Sequence, residues 1–543
     1  MTHYLKKYVI INSMNKINLN TDKLKTVGFY VLLFLLCVAI VLNADNYDYD
    51  LWARLIAGMA VVQTGHILKY DFLSYTPTHA WYDHEWGSSV VFYLFQNLGG
   101  HLGLVLLQTT LSFLTVFFVI KTVKIRCSED CNYKNILLWF IVLNVFMVTY
   151  NSLVRCHSFS FLFFILEIYI LELIRKYQNY KLLFIFPVFF LIWGNMHGGV
   201  VSGLGLLAMY TIGEALNKKS FKYYLMTTLV CPLMLFINPY GIEFVKFLLK
   251  ATTMHRPDVL EWWPIFHKMF LYRFLEFKFF AIFVAIIELL KVIKNKFNYN
   301  SLDKTKLIVM LVTLYLAIVH VKMMPFFVLS SVAYCYQDIV DTFKNIKFPK
   351  WEIVAVNVFL LIFALSTIVV KNVEPMLNCK KYPVLEVEFI KENQLKGNIL
   401  VNFGLGSYVA YKLYPQNKIY MDGRYEEVYD DYLLKDMGKL FTLNKGWHDL
   451  FDKNPPDIII IENFYPLYKV LKQKNSGWKL AFDGLKYGVF VPKDTYKQIS
   501  KMPSLDFEYY RKSIFDTDIT FKGENRIKIE EINKRINKWM KMN

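Results

Sequence analysis

Three aspartates follow directly on an apolar run. The stretch DNYDYDLWARLIAGM, Asp45 to Met59, begins where TVGFYVLLFLLCVAIVLN ends. An acid just before a helix ordinarily caps it, accepting from the free N–H groups of the first turn. A pair of acids can instead take a proton or hold a cation. Asp48 and Asp50 are separated by one residue, so their side chains diverge unless a cation draws both inward. Capping accounts for one aspartate. Two, with Asp45 beside them in a loop rich in Tyr and Trp, shift the balance towards a site.

The same loop continues through YDFLSYT and WYDHEWGSSV, adding Asp71, Asp83, His84 and Glu85. Asp83-His84-Glu85 lacks the helical His spacing of a zinc hydrolase, and its other reading is a cap for a helix starting near Trp86. Further along, ionisable or polar groups stand beside the ends of apolar runs. These are Arg155 and His157 in NSLVRCHSF, Asn195 and His197 in WGNMHGGV, Glu261 in EWWP, and His320 and Lys322 in VHVKMMPFF. At membrane depth such groups are costly, and functional use is the default hypothesis. Snorkelling at the interface is the alternative, above all for Lys322.

The elements that must position these residues are set by composition. Of 543 residues, 55% are hydrophobic and only 20% charged, and the apolar residues come in long runs, as in a polytopic membrane protein. Runs long enough to span begin near Thr26, His101, Ile136, His157, Leu182, Val200, Tyr223, Phe277, Leu307, Pro325 and Glu352, which predicts about eleven transmembrane helices. Every second connection is rich in Lys and Arg, as is the N-terminus. The positive-inside rule places these in the cytoplasm and puts all the groups above, with the C-terminal part, on the outer face. The net charge of +18 is accounted for in the same way, and nothing resembles a nucleic-acid-binding module. The seven cysteines imply neither a disulfide framework nor a zinc site.

Residues 1–372 therefore form a transmembrane domain with a first outer loop over 44–100, in which LWARLIAGMAVVQTG and EWGSSVVFYLFQNLGG suit helices lying on the membrane surface. Over 373–500 the pattern changes. GNILVNF, NKIYMDG, PDIIIIE and YGVFVPKD read as strands and LEVEFIKENQL and GSYVAYKLY as helices, a small α/β domain with a largely parallel sheet. Residues 501–543 read as a charged helical tail.

The first outer loop resembles that of GT-C superfamily bacterial membrane glycosyltransferases, relatives of the protein mannosyltransferases and the lipopolysaccharide-core galacturonosyltransferases. Asp48, Asp50, Trp52, Leu55 and Gly58 fit the first part of the pattern. Asp71, Phe72, Ser74 and Thr76 fit the second, and Trp81, His84, Glu85 and Trp86 the third. WGNMHGG, NPYG and MDGRYEEVY are similar too. Ala53 and Arg54 stand where Trp and His are expected. The resemblance implies a GT-C-like fold in a bacterial cytoplasmic membrane and a sugar carried on a polyprenyl phosphate. It also implies inverting transfer to a hydroxyl of a lipid, glycan or protein acceptor on the outer face. Asp50 or Asp48 would serve as base or as ligand of a divalent cation, with Asp50, nearer the helix start, the preferred base. Arg54, Arg155, His157, His197 or Lys322 would hold the phosphate, with Asp83, His84, Glu85, Asn195 and Glu261 completing the substrate site. A lipid-linked glycan polymerase or ligase is the nearest alternative, but such an enzyme usually has its large outer loop in mid-chain. A transporter would tend to show internal repeats, and none is present.

Overall fold

The computed structural model describes residues 2–43, 47–127, 134–150, 154–257, 259–296, 298–343, 349–371, 379, 381–503, 510, 512–523, 526, 530, 531 and 534. Asp45 and Cys131 lie outside them. Each apolar run carries a helix. Thr2–Leu42 and Trp86–Arg126 hold the first two. Ile136–Tyr150, His157–Tyr177, Phe186–Met196, Val200–Leu216, Lys222–Val230, Leu275–Lys294, Lys304–Val319, Met324–Phe343 and Lys350–Lys371 follow. By length and composition, five helical segments among the described residues suffice to cross a membrane: Asp22–Leu42, Trp86–Arg126, His157–Tyr177, Val321–Phe343 and Trp351–Lys371. Val321–Phe343 runs through the centre of the bundle, whereas Trp351–Lys371 leaves most of its apolar surface outward at the rim.

The end of the bundle next to the basic connections is tied by buried ion pairs. Arg175 lies 2.9 Å from Glu172, 2.9 Å from Glu214 and 2.8 Å from Asp303. Arg126 adds a bond to Glu172, and the Tyr210 hydroxyl donates to it at 2.7 Å. Breaking such a set would leave uncompensated buried charge, so it fixes helix register at this end. Glu172 and Arg175 close a helix that opens at His157, 21 residues long, which places the two ends about 30 Å apart.

Of the two stretches expected on the membrane surface, the first is inside the protein, and the second is buried at Gly87, Ser88, Ser89, Phe92 and Tyr93 but exposed at Leu94, Asn97, Leu98 and Gly99. Leu51–Thr64 is buried on nearly every side from Leu51 to Ala60. It lies against Trp86–Arg126, where a Cβ on Gly58 would come within 2.0 Å of the Ser89 carbonyl oxygen, so only glycine allows that approach. The second stretch is the first third of Trp86–Arg126 and joins the following span across a break at Gly100, φ 53°. The cause is the C-terminal unit, which covers Leu51–Thr64. Trp52 packs edge-on to Tyr408 and tilted on Tyr411, at ring separations of 5.1 and 5.3 Å.

That unit holds five strands, β1 Gly397–Leu400, β2 Asn417–Ile419, β3 Ile458–Glu462, β4 Trp478–Asp483 and β5 Tyr487–Pro492, in the order β2-β1-β3-β5-β4. The helix Phe403–Leu413 crosses from β1 to β2. β1 is parallel to β2 and β3, but β5 is antiparallel to β3 and to β4. The sheet is therefore mixed rather than largely parallel. WKLAFD was missed because its alternation is weak, and the short turn to β5 makes a hairpin. Within the expected helical tail, residues 513–521 form turns and irregular chain, while Arg526, Glu530, Glu531 and Lys534 are helical. Tyr510, Ile514, Ile519 and Phe521 are buried there.

Candidate functional site

The first loop is fastened to the edge of the sheet. Leu73 and Tyr75 bracket Ile419 in backbone hydrogen bonds of 2.9 and 3.0 Å, and the Thr76 hydroxyl donates to the Tyr420 carbonyl at 2.6 Å. Asp71 accepts from its own Leu73 and Ser74 N–H groups, at 3.2 and 3.0 Å, and pairs with Arg424 at 2.6 Å. Arg424 also holds Asp422 at 2.8 Å, and all three are buried. This docking delivers Glu427 of the helix Tyr425–Val428 into the loop. Its carboxylate accepts from Arg54 at 3.0 Å and from the Trp81 indole at 2.8 Å, and lies 3.2 Å from His84 Nδ1.

Asp48 and Asp50 stand in different surroundings. Asp48 accepts the Asp50 backbone N–H at 3.0 Å and lies 3.3 Å from Arg155 Nε. Asp50 occupies the N-cap of Leu51–Thr64 but its side chain makes no capping bond. Its carboxylate stands 3.6 Å from Arg155 with 46% of the side chain exposed. It lies in a narrow recess shared with Asp48, Arg54, Glu85, Arg155, Cys156 and His157. There the loss of bulk water and then the Asp48 charge push its carboxyl well above the usual range, with Arg155 opposing. Cys156, which also lines this recess, gave no signal beyond its place before His157.

Beyond Arg155 a cavity of about 600 Å³ opens. Its wall carries Arg155, Arg273, Lys322 and Lys381 with Asp48, His157, Glu261 and Glu276, and apolar groups such as Phe161, Val321, Met324 and Pro325. Arg155 forms a two-pronged pair with Glu261, the longer arm 3.2 Å. Lys322 sits 3.8 Å over the Trp262 ring, and Lys381 donates to the Tyr47 carbonyl at 3.1 Å. Sequence reasoning missed Arg273 and Lys381. Lys381 stands in a basic pair just past the last apolar run, which was the available signal.

Arg54 is not open to a phosphate. It is buried and held by Asp83, by Glu427 and, at 3.5 Å, by Glu85. Asp83 spends its other contact on the Glu85 N–H at 2.9 Å. Asn195 is likewise saturated and lines neither the recess nor the cavity. Its oxygen accepts from Trp86 Nε1 and Asn238 Nδ2 at 3.0 and 3.1 Å, and its nitrogen donates to the Leu191 and Ile237 carbonyls. It latches the first loop to two helices. His197 lies 3.2 Å from Glu85, and its ring centre is 4.5 Å from that of His157.

One nitrogen or oxygen each from His84, Glu85 and Glu427 lie within 4.8 Å of one another, an arrangement compatible with a divalent cation. The donor types suit such an ion, and Arg54 is the sole arginine among three carboxylates there. Asp48 and Asp50, expected as cation ligands, are both turned to Arg155.

The fold that positions this site has solved counterparts, and its long apolar helices are those of a multi-pass membrane protein. Two solved structures carry the likeness. The crystal structure of the Archaeoglobus fulgidus oligosaccharyltransferase, tethered by a disulfide to an acceptor peptide containing the NVT sequon, matches with TM-score 0.51 and 9% identity over 80% of this chain and 69% of that one. The archaeal oligosaccharyltransferase AglB from Archaeoglobus fulgidus, in complex with an inhibitory peptide and a dolichol-phosphate, matches with TM-score 0.53 and 9% identity over the same shares. No family model and no curated protein sequence matches the chain.

Proposed function

We propose that the protein is a glycosyltransferase that moves a sugar from a polyprenyl-phosphate donor to an acceptor hydroxyl on the outer face of a bacterial cytoplasmic membrane, with inversion. The observation that supports this is an under-bonded carboxylate, Asp50, where a narrow recess meets a cavity lined by four cations and apolar side chains. The AglB structure with its dolichol-phosphate makes a lipid phosphate the natural occupant of the cavity. The acceptor is a lipid, glycan or protein.

In this reading the acceptor oxygen attacks the anomeric carbon, and the bond from that carbon to the phosphate oxygen breaks with its electron pair going to the phosphate. Asp50 takes the acceptor's proton. Its raised affinity for protons brings it nearer working pH, where a general base is most effective. Arg155 and Lys322, joined by Lys381, meet the charge that grows on the leaving phosphate. Arg155 suits this because its planar fork matches two phosphate oxygens. Asp48 aims Arg155 and holds the Asp50 backbone. A divalent cation, where one binds, would be held by His84, Glu85 and Glu427 and would add positive charge beside the recess.

The test is transfer in membranes supplied with the native lipid-linked donor. Asp50→Asn should lower kcat by about 100-fold or more, the range for loss of a general base. Full activity of Asp50→Asn would remove that residue from catalysis. Mass spectrometry of co-purifying lipid should find a polyprenyl phosphate or its sugar ester.

A further inference from the structure

The surroundings of His197 are more fully determined than those of a phosphate-binding histidine need be. The Trp193 indole donates to Ser160 Oγ at 2.8 Å, and an indole nitrogen can only donate. The Gly199 backbone N–H, also only a donor, points at His197 Nδ1 at 3.0 Å. A ring nitrogen that accepts carries no proton, so the single proton of the neutral ring is on Nε2. Ser160 Oγ, 2.7 Å from the same Nδ1, already receives the indole proton and turns its own towards the ring. On the far side Nε2 lies 3.2 Å from Glu85 Oε1. The sequence Met196-His197-Gly198-Gly199 is built for this. A Cβ on Gly199 would come within 2.3 Å of Ser160 Oγ and 2.6 Å of His197 Nδ1, and one on Gly198 within 2.7 Å of the His84 ring.

We infer that His197 is a positioning residue for Glu85, locked by Gly199 and Ser160 as a hydrogen-bond donor from Nε2, so that Glu85 faces the recess below Asp50. The inference rests on the reading of that recess as the transfer site. Glu85 Oε1 lies 3.2 Å from His197 Nε2 and 3.5 Å from His84 Nε2, and Oε2 is 3.5 Å from Arg54. Between them the carboxylate presents acceptor-only oxygens to a pocket that Asp50 also lines. Such a wall takes an acceptor that brings its own O–H or N–H donor. His197 thus leaves phosphate binding to Arg155, Lys322 and Lys381.

Two measurements on the full chain test this. The first is nitrogen NMR of histidine-labelled protein in lipid nanodiscs, with the His197 signals assigned by their loss in His197→Gln. A bare Nδ1 and a protonated Nε2 are expected, and a proton on Nδ1 would overturn the inference. The second compares two substitutions. Glutamine places an N–H near the Nε2 position and asparagine near Nδ1. His197→Asn should lower kcat by about 10–100-fold, as when an outer hydrogen-bond partner is lost, with the donor KM unchanged. His197→Gln should keep at least about ten times the kcat of His197→Asn. Equal losses in the two would overturn the positioning role. Full activity of Asp50→Asn would instead sink the reading of the recess, while the NMR result on the tautomer would stand.

Discussion

His84 shows how the charge of a single residue is decided by competition. Burial works against its proton, but the Glu85 and Glu427 carboxylates outweigh burial and raise it to about 9. A histidine raised above its unfolded value of about 6.5 gives stability that is complete below that pH. The contribution is lost as pH rises through the folded value. Thermal unfolding of the solubilised protein should therefore weaken between pH 6.5 and about 9 by on the order of 3 kcal/mol. His84→Gln should flatten that part of the profile. Asp50 is half-exposed, yet its narrow recess keeps bulk water away and, with the Asp48 charge, raises its affinity for protons, and its proposed base role needs the ionised form. The acidic limb of the pH–rate profile should thus lie above that of an ordinary carboxylate. Asp48→Asn should move the limb to lower pH by removing the neighbouring charge, and an unmoved limb would separate the two carboxylates.

At the scale of elements, the site depends on one short segment of the C-terminal unit, Asp422 to Tyr429. Arg424 is buried between Asp71 of the loop and Asp422 of its own strand end. Arg424→Met would leave two buried carboxylates without a cation, a loss of about 3–5 kcal/mol. Because Glu427 follows three residues later, transfer should fall with it, and limited proteolysis should cut within 66–80 or 414–430 much faster than in the parent. Equal proteolysis would mean that the loop stays docked by its backbone bonds alone. This interface also marks where the sequence stops being legible. The apolar runs, the Asp48–Asp50 pair and most strands could be read because their signals are local: length, spacing and alternation. Glu427 and the saturation of Arg54 could not, since the partners of Arg54 lie 29 and 373 residues away. The apolar face of LWARLIAGM was legible too. What covers it was not, because burial against lipid and burial against Tyr408 and Tyr411 ask for the same residues.

On the scale of the whole molecule, two charged layers lie at the two ends of one bundle. The layer of Arg126, Glu172, Arg175, Glu214 and Asp303 is fully paired within the protein. The layer around Asp50 and Arg155 opens into a cavity. The connections next to the first layer carry Lys218, Lys219 and Lys222, and Lys and Arg hold such segments in the cytoplasm. In the proposed orientation the Asp50 layer and the C-terminal unit face outward, where a flipped lipid-linked sugar would meet its acceptor. Cysteine labelling decides the matter. Lys219 and Lys445 are both exposed, Lys219 on a basic connection and Lys445 on the C-terminal unit. In intact cells a membrane-impermeant maleimide should label Lys445→Cys and spare Lys219→Cys until the membrane is opened. The described native cysteines are buried or half-buried and should contribute little background. Labelling of Lys219→Cys alone in intact cells would invert the orientation, place Asp50 on the cytoplasmic side, and exclude a donor that must first be flipped.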